Sequence, residues 1–150
     1  MTDLPRTARF ALPLLAVAQA QKEVTHNEAL ILIDALVQAA VEDGPLAAPP
    51  ADPEAGQCWI VGDGATGAWS AMDAAIAVCT GGGWRFIAPR EAMRLVRLSD
   101  GGRMIFADGV WHEPPMLIPP AGGSVVDAEA RAALSALILS LQTQGLLISG

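Results

Sequence analysis

The sequence predicts an α+β domain: an N-terminal helix, a small antiparallel β barrel or sandwich of short hairpins, and a C-terminal helix. Three observations predict it. A strongly apolar, helix-like stretch lies near the N-terminus, short apolar runs broken by glycine turns fill the middle, and a 3.6-residue apolar period returns near the C-terminus. At 150 residues the chain is long enough for one domain with its own core.

Composition excludes several classes of partner. The net charge of -7 argues against nucleic acid, which needs clustered Lys and Arg, and against an anionic membrane surface. No apolar run approaches the 18 residues of a membrane span. Only 17% of residues are charged and 52% are hydrophobic, which favours a subunit partly covered by copies of itself over an alanine-rich monomer.

Residues 1–44 are predicted to form an N-terminal segment and an assembly helix. The lead-in 1–18 has the outline of a short secretory signal, but Pro13 and the shortness of its apolar run favour a retained segment that packs on the domain or on a neighbour. Thr25-His-Asn-Glu28 fits a capping box, so we expect a helix from Thr25 to about Val41, with Asp34 on its solvent-facing side. Gly44-Pro45 would stop it.

The middle of the chain is predicted to be a β module. A proline-rich linker, 45–56, leads into it, because four prolines exclude a helix. Within 57–113 the predicted strands are 57–61, 74–80, 84–88, 94–98, 103–107 and 110–112. Asp108-Gly109 gives the strongest hairpin signal. A weak repeat relates 74–89 to 103–114, since both read strand, turn, Trp, strand and Pro.

A second linker, 114–126, and a closing helix with its tail, 127–150, complete the predicted organisation. Asp127 is the predicted N-cap, and Gly145 is predicted to end the helix. Both predicted helices carry more apolar surface than one domain needs. The candidate oligomer-interface residues are Leu30, Ile33, Leu36, Val37, Leu134, Leu137, Ile138 and Leu141.

The polar residues do not form a catalytic or metal-binding pattern. Gly62-Asp-Gly-Ala-Thr-Gly67 lacks the Gly-Lys-Ser/Thr ending of a phosphate loop. His26 and His112 lie in different elements, and no three or four ligands have metal-site spacing. We therefore expect no enzyme activity, no cofactor and no metal. Cys58 and Cys79 fit buried free thiols, and a single bridge between them is the alternative.

Four tryptophans in the β region have two interpretations. They can supply the bulk of a core otherwise built from small residues. Alternatively, one or two can lie exposed near loop tips and stack on sugar rings. Trp69 and Trp111 are the candidates for sugar binding, because each lies next to a glycine turn.

Three separated motifs resemble a bacterial family defined by a domain of unknown function. They are the stretch from Leu12 through Gln19-Ala-Gln-Lys-Glu-Val-Thr-His-Asn-Glu-Ala-Leu30, then Ile60-Val-Gly-Asp-Gly-Ala-Thr-Gly-Ala-Trp69, and then Gly83-Trp-Arg-Phe86 with Pro89. The resemblance covers roughly residues 10–115 and implies no catalytic residues.

Members of that family occur in prophage and gene-transfer-agent gene clusters, with tail-fibre and head-spike proteins. The resemblance therefore implies a structural protein of a phage-like particle, assembled in the cytoplasm and later extracellular as part of the particle. We expect the base or adaptor of a spike or fibre, a trimer or pentamer that binds other particle proteins. The alternative is a carbohydrate-binding module that recognises cell-surface polysaccharide.

Overall fold

A computed structural model describes residues 4–16, 22–123 and 127–148, and its α+β class confirms the prediction. Within these residues two helices flank eight strands in two four-stranded sheets. The helices are α1 (Lys22–Leu36) and α2 (Ala128–Thr143). The strands are β1 (Ala40–Val41), β2 (Asp43–Leu46), β3 (Cys58–Val61), β4 (Ile76–Thr80), β5 (Gly83–Ile87), β6 (Arg94–Arg97), β7 (Arg103–Ala107) and β8 (Val110–His112). The sheets are not closed, so the barrel alternative is wrong.

Helix α1 begins earlier and ends earlier than predicted. It starts at Lys22, so Thr25 lies inside the helix, and the predicted capping box is wrong. It ends at Leu36 instead of Val41, because Gln38 adopts a left-handed backbone with φ 47° and the next residues form β1. The predicted stop at Gly44-Pro45 is also wrong, because these residues lie in β2.

Strands β1 and β2 are consecutive in sequence but belong to different sheets. β1 runs parallel to β6, with Ala40 opposite Val96, and β2 runs parallel to β3. Only glycine fits at position 44, because a side chain there would lie 2.7 Å from the Ile60 carbonyl oxygen. The sheets thus take strands from residues that precede the predicted 57–113 module.

The six strands predicted within 57–113 are all present, and the two sheets share one plan. Their orders are β1-β6-β7-β8 and β2-β3-β4-β5, with a parallel first pair and antiparallel pairs thereafter. Asp108 and Gly109, with φ of 51° and 82°, make the predicted tight turn between β7 and β8. The weak repeat corresponds to the hairpins β4–β5 and β7–β8, which are the last two strands of each sheet.

The core lies on both faces of the β2-β3-β4-β5 sheet. One cluster joins this sheet to the other through Ile60, Val78, Leu95, Met104 and Trp111, together with Ala35 of α1. A second cluster covers its opposite face and contains Trp59, Val61, Ala65, Trp69, Ala75, Ala77 and Cys79. β3 is accordingly buried at all four positions. The Trp111 indole N–H, which donates to the Ala74 carbonyl at 2.8 Å, adds a polar link between the sheets.

Helix α2 begins and ends as predicted, but it lies apart from the core. The Asp127 carboxylate accepts from the Ala130 N–H at 2.8 Å, which confirms the predicted N-cap. The helix ends at Thr143, just before Gly145, which has φ +68°. None of the residues that the structure describes in α2 is buried.

Candidate functional site

The two candidate sugar-binding tryptophans are both buried. Trp69 is 0% exposed and Trp111 is 9% exposed. Trp69 packs edge-on against Trp84, at 5.1 Å between ring centroids, and Trp59 completes a three-indole cluster. Trp111 packs against Phe106 at 5.3 Å. Of the two interpretations, these rings fit the one in which tryptophans fill the core, because packing between aromatic rings on the sheet faces takes up the surface that a sugar would need.

A concave site lies elsewhere, at one end of the β2-β3-β4-β5 sheet. It is a groove of about 450 Å³ between residues 6–9, the face of α1 spanning residues 24–35, and residues 78–85 (the α1 groove). Three arginines and two carboxylates line it, namely Arg6, Arg9, Arg85, Glu28 and Asp34. The groove is therefore more positive than the chain as a whole, which carries a net charge of -7.

The buried carboxylate of Asp34 holds one wall of the α1 groove. It accepts from the Thr7 hydroxyl at 2.8 Å and from the backbone N–H groups of Arg9 and Phe10, each at 2.9 Å. The sequence places Asp34 on the solvent-facing side of the helix, and this interpretation is wrong, because the N-terminal segment folds over that side. A carboxylate with three donors is satisfied without water.

Arg9, in the N-terminal segment, caps the C-terminal end of α1. Its guanidinium donates to the Ala35 carbonyl at 2.7 Å and, at longer distance, to the carbonyls of Asp34 and Gln38. The last carbonyls of a helix have no partner within the helix, and a cation there also opposes the negative end of the helix dipole. This contact stabilises the end of α1 that the left-handed Gln38 creates, and local sequence spacing carries no sign of it.

Two further contacts join the walls of the α1 groove. The Glu28 carboxylate accepts from the Arg85 guanidinium at 2.9 Å, which links α1 to β5. The Asn27 side chain accepts from the Leu15 N–H and donates to the Leu15 carbonyl. Asn27 and Glu28, which the sequence places in a helix-start motif, thus hold α1 against the N-terminal segment and the sheet.

The two cysteines lie on opposite faces of the β2-β3-β4-β5 sheet. Cys58 faces the cluster between the sheets, and Cys79 faces the second cluster and lines the α1 groove. Both are free and buried, which confirms the expectation of buried thiols. Burial raises the pKa of the Cys58 thiol to about 11 and also raises the pKa of Cys79. Neither thiol is therefore an activated nucleophile.

A buried arginine organises the other sheet. The Arg97 guanidinium donates to the carboxylates of Asp100 and Glu113 and, at 3.1 Å, to the Gly44 carbonyl. Hydrogen bonds from Arg97 lower the pKa of Asp100, and both carboxylates raise the pKa of Arg97. The cluster ties β6 to β2 and to the end of β8, which is a structural role.

Most of the candidate interface residues are exposed in the single chain. On α1, Ile33 and Leu36 are 48% and 39% exposed, and Val37, which directly follows the helix, is 44% exposed. On α2, Leu134 and Leu137 are 47% and 55% exposed. Leu30, Ile138 and Leu141 are partly exposed. These side chains leave two apolar helix faces uncovered, which is unusual for a folded monomer.

Among residues 4–16, 22–123 and 127–148, no group of three or more His, Cys, Asp or Glu residues could hold a metal ion. No described helix has the length and apolarity needed to cross a membrane.

Comparison with known protein families gives a match over the part of the chain that contains both sheets. Residues 26–112 match a family described as "Protein of unknown function (DUF2793)". The chain belongs to this DUF2793 family. The match runs from α1 to the end of β8 and so includes both sheets, whereas the Arg9 region and α2 lie outside it. It agrees with the resemblance to a domain of unknown function. No curated protein matches the chain.

Proposed function

We propose that this protein is a structural component of a phage-like particle, namely the base or adaptor of a head spike or tail fibre that takes part in host-cell attachment. The observation that carries the proposal is the contrast between a well-filled β core and two helices whose apolar faces are uncovered. A protein that works as part of an assembly has this distribution of apolar surface, because its partners cover what its own core does not. The resemblance to proteins of prophage and gene-transfer-agent clusters supplies the kind of assembly.

In this role the protein is a homo-oligomer that also contacts other particle proteins. Closed cyclic symmetry suits both a fibre and a capsid vertex, with three and five copies respectively. Helices α1 and α2 supply the contact surfaces, and the two sheets form the rigid body that holds them. No chemical reaction is part of the proposal.

Protein composition of isolated particles tests the proposal. Particles released by the producing bacterium are purified by density gradient, and their proteins are quantified by mass spectrometry. We expect this chain in several copies per particle, rising and falling with the capsid protein across the gradient. Its absence from intact particles, in cells that produce the chain, would contradict the proposal.

The second candidate is a carbohydrate-binding module, and the α1 groove is the observation that favours it. Its volume of about 450 Å³ suits a small saccharide, and the guanidinium groups of Arg6 and Arg85 line it as hydrogen-bond donors. Binding to cell-surface polysaccharide is measured for the wild type and for Arg6→Ala/Arg85→Ala. The candidate predicts binding that this variant loses, and unchanged binding would remove the groove from consideration.

A further inference from the structure

The C-terminal helix offers a narrow apolar seam. Ala130, Leu134, Leu137 and Leu141 follow one another at intervals of four, three and four residues. This spacing places them along one line of the helix and is the pattern of the contact positions in a helical bundle. Ile138 lies beside the line. We call Ala130, Leu134, Leu137 and Leu141 the α2 seam.

Both ends of the segment that carries α2 are attached to the domain. After the helix, the Gly145 carbonyl accepts from the Arg103 N–H at 2.9 Å, and a side chain at Gly145 would collide with the Gly101 carbonyl. Before it, Pro114 is buried, and Met116 forms a bridge with Ile148. The segment is therefore attached at Pro114 and at Gly145, while Leu134 and Leu137 of the α2 seam are exposed and Leu141 is partly exposed.

The charge on α2 suits contact with the same helix of another copy. The chain carries a net charge of -7, which opposes contact between copies at most surfaces. Within its 16 residues, however, α2 has only Glu129 and Arg131, whose charges cancel. Several copies of this helix can therefore meet without the like-charge repulsion that the rest of the surface would give.

The surface area of one α2 face favours an assembly of more than two copies. A helix of 16 residues is about 24 Å long and about 10 Å wide, so one face covers about 240 Å². A pair of faces buries about 500 Å², which is well below the roughly 1,200 Å² of a stable specific interface. Three helices around one axis make three such contacts, so each chain buries about 480 Å² instead of the 240 Å² or so that it buries in a pair. A closed bundle of three or more copies therefore buries about twice as much apolar surface per chain as a pair does.

We propose that the α2 seam is the self-association site of this protein and that three or more copies of α2 pack there as a parallel bundle. The parallel direction rests on the proposed function, because a cyclic spike or fibre points all its subunits the same way. In such a bundle each seam residue faces the same residue of the neighbouring copies.

Light scattering of the full chain tests the seam, and α2 itself supplies a matched control. Leu139 is another exposed leucine on this helix, at 63%, but it lies about 200° around the axis from Leu137. We expect the wild type and Leu139→Glu at three or more times 15.5 kDa, and Leu134→Glu/Leu137→Glu at the mass of one chain. Near-ultraviolet circular dichroism of the buried tryptophans checks that the β core stays folded.

Cysteine cross-linking tests the direction. Ala130→Cys is expected to form covalent dimers under mild oxidation, because in an antiparallel pair position 130 would lie opposite Leu141, about 16 Å along the axis from its own copy. Leu139→Cys is expected to form none. Cys58 and Cys79 are buried in every copy, so the wild type gives the background.

Three results would overturn the inference: a monomeric wild type, an oligomer unaffected by Leu134→Glu/Leu137→Glu, or a Leu139→Glu variant that dissociates as fully as the seam variant. Absence of cross-links at position 130 in an oligomer that the seam variant dissociates would overturn the parallel direction. None of these results depends on particle composition, so the inference and the proposed particle role can fail separately.

Discussion

Replacing Asp34 by alanine tests how the N-terminal segment is held on α1. The buried carboxylate accepts three hydrogen bonds, from the Thr7 hydroxyl and from the N–H groups of Arg9 and Phe10. A hydrogen bond to a charged group contributes about 1.5 to 3 kcal/mol. The full sum is not lost, because the segment can detach and its donors can bind water. We therefore expect Asp34→Ala to lower the free energy of unfolding by about 3 to 5 kcal/mol.

Two assays measure this effect. Urea denaturation, followed by tryptophan fluorescence, gives the free energy of unfolding. Trypsin under native conditions reports detachment, because Arg6 and Arg9 lie on the held segment. Asp34→Asn keeps the shape and one carbonyl acceptor, and we expect a loss of about 2 kcal/mol.

The control is Asp52→Ala, which removes an exposed carboxylate and should stay within about 0.5 kcal/mol of the wild type. If Asp34→Ala also stays within that range, or leaves Arg6 and Arg9 as resistant to trypsin as before, the reasoning about the segment is refuted.

Four further predictions concern the sheets. Trp111→Phe should cost about 1 to 3 kcal/mol in urea unfolding, because it leaves the Ala74 carbonyl without its donor. Arg97→Met should cost about 1 to 3 kcal/mol at pH 7, because it leaves the buried Gly44 carbonyl without its donor, while the Asp100 and Glu113 carboxylates are exposed enough to be hydrated. The wild type should also lose part of its free energy of unfolding as pH falls below about 4. Its lowered pKa shows that Asp100 stabilises the fold only while its carboxylate is charged and bonded to Arg97. Burial raises the pKa of Cys58 to about 11 from its ordinary 9.0, so the buried thiol favours the folded state while it stays protonated. This contribution to the free energy of unfolding, about 3 kcal/mol, should be complete below pH 9 and should decline between pH 9 and 11. A free energy of unfolding that does not change with pH below 4 or between pH 9 and 11 would contradict the roles given to Asp100 and Cys58. Variants as stable as the wild type would contradict those given to Trp111 and Arg97.

The strands were predictable because their signals are local. Asp108-Gly109 and the other glycine turns separate short, mostly apolar segments, and each segment forms a strand. Asp127 could be recognised as an N-cap for the same reason. β1 and β2 carry no such signal. They are two and four residues long, and β1 exists because Ala40 and Val41 pair with residues more than fifty positions away.

The candidate site was not predictable, because its parts are brought together by contacts between distant residues. Asp34 reads as a solvent-facing helix residue until the segment 25 positions earlier covers it. Glu28 fits a capping box in sequence, and only the fold places Arg85 beside it, 57 positions later. Trp69 sits at a glycine turn, yet two other indoles enclose it. Burial of this kind depends on the packing of several elements, which neither periodicity nor turn chemistry records.

Electron cryo-microscopy of the particles is the most direct test of the central claim. Particles from the wild-type bacterium are compared with particles from a strain in which the gene for this chain is deleted. The proposed role predicts that a spike or the base of a fibre is missing from the deletion particles and returns on complementation. Particles that are identical in the two strains, spikes and fibres included, would contradict it.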